Sequence, residues 1–370
     1  MEFLVYPEDP IKLFQEGERL CKELEDRKSL ATLYNFIGVF HLFKGDPALG
    51  RKYQEDSFKE AEKIQDIEIM ARVAPSLCGS YLLEGDYKEV LNITPKVIAL
   101  LERTRKEHEL FGLPLNAYSL LQVFLGASMG ILGKFTEGEL LCKKALSFAH
   151  KMNHPFSIGV VELHYGHLYY YKGDGRNAVK HYQSSIEYFE KSQAVHLLPL
   201  AWNLLGMGYY YLGELNTALK FSEKGLRMQM DTGMPYGLPW YHWNLSLIHF
   251  DLGNWSEAKL HAEQALNLAC MTHYKWYEGR SWIQLGRIIG KTDKSRIDKA
   301  EEHILQGMKI LDELKLKPFY ALGYGSLGEL YADAGQKEKA LENLKKAEGM
   351  FREMGMDFWL AKTQEVLGRL

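Results

Sequence analysis

Apolar positions recur every three to four residues along the chain, the spacing of one helical face, and the helices they predict repeat on a longer beat of about 40 residues. A small residue marks the beat at Gly38, Cys78, Gly126, Gly166, Gly206, Ser246, Gly286, Gly328 and Gly368. An apolar residue precedes most of these anchors (Ile37, Leu77, Leu125, Leu205, Leu245, Leu285, Leu327). A large one follows three positions later, as at Tyr81, Tyr169, Tyr209 and Tyr331. Seven positions after most anchors comes a turn glycine: Gly45, Gly85, Gly133, Gly173, Gly213, Gly253 and Gly335. Further small residues follow at twelve positions (Gly50, Gly138, Ala178, Ala218, Ala258, Ala340) and at nineteen (Ser57, Ala145, Ser185, Gly225, Ala265, Ala347).

Each beat predicts a helical hairpin. The anchor sits midway along a first helix, where a neighbouring helix must come close. The Gly-Asp pairs at 45–46, 85–86 and 173–174 stop the first helix and cap the second. The later small residues let the second helix pack tightly against the first. Self-similarity at this period predicts a solenoid of stacked units.

The pattern resembles the tetratricopeptide repeat, whose first helix is marked by Trp, then Leu-Gly, then Tyr. Trp202, Leu205-Gly206 and Tyr209 match every place, and Trp282 with Leu285-Gly286 match all but the last, where Ile289 stands. Ala178, Ala218, Ala258, Ala265, Ala340 and Ala347 match the second-helix alanines. The resemblance covers essentially the whole chain and implies an all-α, right-handed solenoid of about eight hairpins. The period of about 40, against the family's 34, predicts longer helices and a looser superhelix. A narrower likeness lies in Ala300–Leu305, Tyr320–Gln336 and Met354–Ala361. These runs look like the C-terminal repeats of bacterial signalling proteins that carry an adenylate/guanylate cyclase or AAA/STAND ATPase head. No such head is encoded here.

The register divides the chain into residues 1–25, the second helix of a partial unit; 26–118, N-terminal repeats; 119–355, the main array; and 356–370, a capping helix. Projected backwards, the beat places Gly17 at the nineteenth position of a unit whose first helix is missing. The chain is therefore expected to open inside a repeat, with a lone capping helix as the alternative. Two interruptions stretch the beat. The Cys78–Gly126 spacing is 48, with the extra residues around Leu101–Asn116, and the Gly286–Ala300 spacing is 14, with a basic turn at Lys291–Arg296. Each reads as a longer loop, the first with a bend between sub-stacks.

Composition changes this picture little. At 46% apolar and 25% charged, with net charge −3, the chain gives no electrostatic reason to expect nucleic acid. No apolar run is long enough for a membrane span, and the N-terminus lacks the pattern of a signal peptide. Four scattered cysteines without a CxxC pair suit a reduced, cytoplasmic protein. Catalytic patterns are wanting. Gly323-Tyr-Gly325-Ser-Leu-Gly328 spells a dinucleotide fingerprint, but it falls inside a first helix with no strand before it. Gly130–Lys134 has the wrong spacing for a phosphate loop, and His164 with His167 lack further metal ligands. No enzyme, metal or cofactor is expected.

Function then belongs to a surface. In tetratricopeptide stacks the first helices line the concave face, and the inward positions are −6, −3, +1, +4 and +5 from each anchor. Successive units there offer His167, Tyr170 and Tyr171; Asn203, Met207, Tyr210 and Tyr211; Trp240, Trp243 and Phe250; then Arg280 and Arg287. Aromatics ending in two arginines suit an extended peptide or partner helix, with Arg reading a carboxylate or phosphate. Asn203 or Asn244 is placed to bond a peptide backbone. Filling of the inter-helix core by the same rings is the competing reading. Aromatics ten residues before anchors (Phe156, Tyr236, Trp276, Phe358) are expected to pack on the preceding unit. The loop Asp231–Pro239 is a candidate rim contact. The expected role is a protein- or peptide-binding sensor region of a larger bacterial signalling protein. A receptor for a small metabolite or signalling peptide, or a structural spacer, are the alternatives.

Overall fold

The computed structural model describes residues 10–235 and 237–370, and all the regular structure there is helical. Eight antiparallel hairpins follow one another: α2/α3 (Arg27–Lys44, Pro47–Lys63), α4/α5 (Ile67–Glu84, Tyr87–Thr104), α6/α7 (Ala117–Ile131, Phe135–Met152), α8/α9 (Pro155–Lys172, Gly175–Lys191), α10/α11 (Leu198–Tyr211, Leu215–Asp231), α12/α13 (Leu238–Asp251, Trp255–Thr272), α14/α15 (Lys275–Thr292, Ile297–Glu313) and α16/α17 (Lys317–Asp333, Lys337–Met354). A helix flanks the stack at each end, α1 (Pro10–Glu23) and α18 (Asp357–Leu367).

The turns form as the sequence predicts. Gly45, Gly85 and Gly173 take φ of 89°, 90° and 81°, a left-handed conformation that other residues adopt at a cost. The aspartates after them accept the backbone N–H of Leu49, Glu89 and Asn177, capping the second helices. The anchors are small because the partner backbone leaves no room. A Cβ at Gly38 would lie 2.7 Å from the Gly50 carbonyl oxygen, one at Gly126 2.8 Å from that of Gly138, and one at Gly286 2.6 Å from that of Ala300. Anchor and twelfth position therefore meet face to face. Close packing also accounts for Gly323 and Gly328, against Met308 and Leu344; these glycines lie within α16 rather than after a strand. The first interruption becomes a loop from 105 to 116, held by Arg72 Nε donating to the Phe111 carbonyl at 3.0 Å.

The superhelix is tighter than the period suggests. Successive turns of the stack touch, about 190 residues apart in sequence. A Cβ at Gly85 would lie 3.2 Å from Trp276, one at Gly173 3.3 Å from Phe358, and one at Gly45 2.9 Å from Pro235. Trp276 Nε1 donates to the Leu83 carbonyl at 3.2 Å, and its ring meets that of Tyr87 edge-on. Trp276 thus packs both on Trp240 of the preceding unit and on a hairpin turn one superhelical turn earlier, and Phe358 packs on such an earlier turn rather than on the preceding unit. Only Phe156 stays local, against Phe189 and His196. Tyr236 lies outside the described residues. The glycine turns fit this arrangement because a side chain there would hold the two layers apart.

Candidate functional site

Layer-on-layer packing turns the concave face into an interior. At its centre Arg280 of α14 is only 3% exposed. Its guanidinium lies 3.4 Å from the centre of the Trp243 ring and 4.4 Å from that of Phe319, with Trp276 and Tyr277 beyond. Nη2 donates to the Tyr170 hydroxyl at 2.8 Å. That hydroxyl donates to Asn244 Oδ1 at 3.3 Å, and Asn244 Nδ2 donates to Asn203 Oδ1 at 2.6 Å. One polar chain thus crosses α14, α8, α12 and α10. Asn203 and Asn244 are fully buried and bonded to each other.

Beside this chain lies a cavity of about 550 Å³. Its walls come from α10 (Tyr210), α12 (Trp243, Asp251), α14 (Arg280, Gln284, Arg287) and α16 (Phe319, Glu329). The last helix, α18, closes it with Phe358, Trp359 and Lys362. Phe358 and Trp359 dock on Tyr211, at 5.1 and 6.1 Å between ring centres, and Phe358 also meets Tyr210. Lys362 Nζ sits 2.6 Å from Asp251 Oδ2, which also accepts the Tyr210 hydroxyl at 2.7 Å. Burial works against the Asp251 charge, but Lys362, Arg287 and the Tyr210 hydroxyl together hold its carboxyl below the usual range. Arg287 pairs with Glu329 at 3.4 Å, and Glu329 takes a second cation, Lys291, at 3.1 Å. An ion pair therefore ties the closing helix to the inner wall.

Of the ten residues expected on the concave face, Tyr210, Trp243, Arg280 and Arg287 line the cavity. His167, Tyr170, Tyr171, Asn203, Tyr211 and Trp240 lie buried in the packed interior around it. Sequence reasoning passed over Asp251 and Glu329, although they stand at +5 and +1 from Ser246 and Gly328, on the inward register itself. The contribution of α18 had only the aromatic pair Phe358-Trp359 as a signal. The 231–239 loop lays Pro235 over the Gly45 turn.

His164 and His167 face each other, Nδ1 to Nδ1, at 3.1 Å. Among the described residues no group of three or more metal-ligating side chains includes them. Burial pushes His164, part-exposed at one edge, down to about 3, and holds His167, 3% exposed, well below its ordinary value, with His164 adding to the effect. Both are neutral in the fold and protonate on unfolding. Stability from them is complete above pH 6.5 and falls as pH drops toward the folded values. Urea unfolding of His167→Phe should therefore show a smaller fall in stability between pH 7.5 and 5 than the parent protein does. An unchanged fall would mean that His167 does not carry the effect.

A family model described as tetratricopeptide repeat matches residues 321–353, the α16/α17 hairpin. The whole chain folds as a helical solenoid like those of tetratricopeptide proteins. No curated protein matches this solenoid. Solved structures do, at identities that speak for the fold alone. A chain of the APC/C hetero-tetramer Cut9–Hcn1 aligns over 90% of the solenoid at 15% identity and TM-score 0.58, and the solenoid spans 55% of that chain. A Rap protein complexed with competence and sporulation factor aligns over 88%, at 11% identity and TM-score 0.57, and is itself 98% covered. NprR in complex with its cognate peptide NprX aligns over 85%, at 15% identity and TM-score 0.54, with 92% of its chain covered. Among the described residues of the solenoid, no helix is long and apolar enough to cross a membrane.

Proposed function

We propose that this solenoid is the sensor region of a larger bacterial signalling protein and captures a short peptide in the cavity of its concave face. The observation that carries the reading is the cavity itself, about 550 Å³, walled by four first helices and closed by α18 through one lysine and two aromatic rings. Its mix of apolar walls and a few placed charges is that of a ligand site. The likeness to NprR in complex with its cognate peptide, and to a Rap protein complexed with competence and sporulation factor, supports a peptide ligand. The C-terminal runs that look like those of cyclase and ATPase signalling proteins support an attached head upstream of the repeats, which the ligand would reach by changing the curvature of the stack. A structural spacer would have no need of such a cavity.

The test is selection of binders from a randomised library of short peptides, followed by tryptophan-fluorescence titration of each peptide recovered. Arg287→Ala, checked for unchanged helicity, should weaken binding about tenfold, ~1.4 kcal/mol. Equal binding by the variant would move the site to the convex face or the loops. No binder at all would end the peptide reading.

A further inference from the structure

The charged groups lining the cavity nearly cancel, and the exception identifies a chemistry. Lys362 pairs with Asp251, Arg287 with Glu329, and Arg369 with Glu365. Among the described residues Arg280 is the lining cation with no carboxylate partner. Its Nε and Nη1 are buried and have no hydrogen-bond acceptor. Guanidinium keeps its charge at any relevant pH, so burial cannot neutralise it. The Trp243 and Phe319 rings offset part of the desolvation through cation–π attraction, yet offer those N–H groups no acceptor. A buried, charged donor without an acceptor is among the costliest features a fold can keep. A ligand that brings the missing acceptor removes that cost on binding.

We propose that Arg280 is the anchor of a monocarboxylate subsite, which takes the carboxylate of a ligand whose body is apolar. Resting on the peptide-capture reading above, this assigns the carboxylate to the C-terminus of a short apolar peptide. One negative charge matches the one uncompensated cation. A dianionic phosphate would leave excess charge among Trp243, Phe319, Phe358 and Trp359. The Tyr170 hydroxyl, already bonded to Nη2, fixes the plane of the guanidinium. Asn244 and Asn203 hold the hydroxyl in turn.

The experiment compares a randomised short-peptide library bearing free C-terminal carboxylates with the same library amidated, beside 3-phenylpropionate and inorganic phosphate. Tryptophan fluorescence is the readout, Trp243 being in contact with Arg280. The full chain and its Arg280→Gln variant are both used. The expected result is that a selected peptide binds at least thirtyfold more tightly as the acid than as the amide, and that Arg280→Gln abolishes the difference. Acid and amide binding alike would overturn the Arg280 assignment while leaving peptide capture standing. Saturable binding of phenylpropionate that Arg280→Gln removes, with no peptide selected, would keep the subsite and end the peptide reading. Phosphate binding in preference to both carboxylates would overturn the monocarboxylate assignment. No response to any probe would overturn both. If Arg280→Gln does not fold, the acid–amide comparison on the parent protein decides alone.

Discussion

Trp276→Ala is expected to destabilise the protein by about 3–5 kcal/mol, the range for deleting a large buried aromatic. Trp276 is 2% exposed and touches the rings of Tyr87, Tyr171, Trp240, Tyr277 and Phe319. The magnitude is not the distinctive part. In an ideal solenoid each unit contacts only its neighbours, so a core deletion loosens the local hairpin and the next. Here the indole also donates to the Leu83 carbonyl, in a hairpin turn one superhelical turn away. Amide hydrogen exchange should therefore accelerate around Gly85 as well as around residue 276. Exchange at Gly85 unchanged from the parent would show that the layers do not support each other.

Gly206→Val is expected to cost about 3 kcal/mol, at the upper end of overpacking in a close-packed core. A Cβ at Gly206 would stand 2.7 Å from the Ala218 carbonyl oxygen, and valine adds two more carbons. The α10 and α11 backbones would have to part. The contrast is Gly213, at the turn of the same hairpin, where φ is 81° and no atom lies within 4 Å of an added Cβ. Gly213→Ala meets only the left-handed backbone penalty, ~1–2 kcal/mol. Urea denaturation of the two variants should rank them in that order. A Gly213→Ala protein less stable than Gly206→Val would mean that close approach is not why the anchor is small.

The hairpins were legible because they are local. Anchor, turn and cap sit within about 12 residues of one another, and steric rules fix what each position tolerates. Gly45 with Asp46 declares a turn whatever the rest of the chain does. The layered interior was not legible, because it depends on a small rotation per unit accumulated over several units. No local pattern says that Trp276 will arrive at Gly85. For the same reason the inward register grouped Tyr210, Trp243, Arg280 and Arg287, which line the cavity, with Tyr170 and Trp240, which are buried beside it, and could not separate the two sets. The residue types around Arg280 could be read; that its charge stands unpaired is a property of all the helices at once.

The contact between Trp276 and Leu83 joins residues 193 positions apart. A ribosome adding about 5–20 residues per second takes ~10–40 s to cover that distance. Through that interval the N-terminal hairpins are complete as hairpins, yet their turn-side face has nothing to lie against. Long-range pairing of this kind slows folding relative to helical bundles built on local contacts. The nascent protein thus carries these turns uncovered through that interval, until the second layer is made and Trp276 can reach the Leu83 carbonyl.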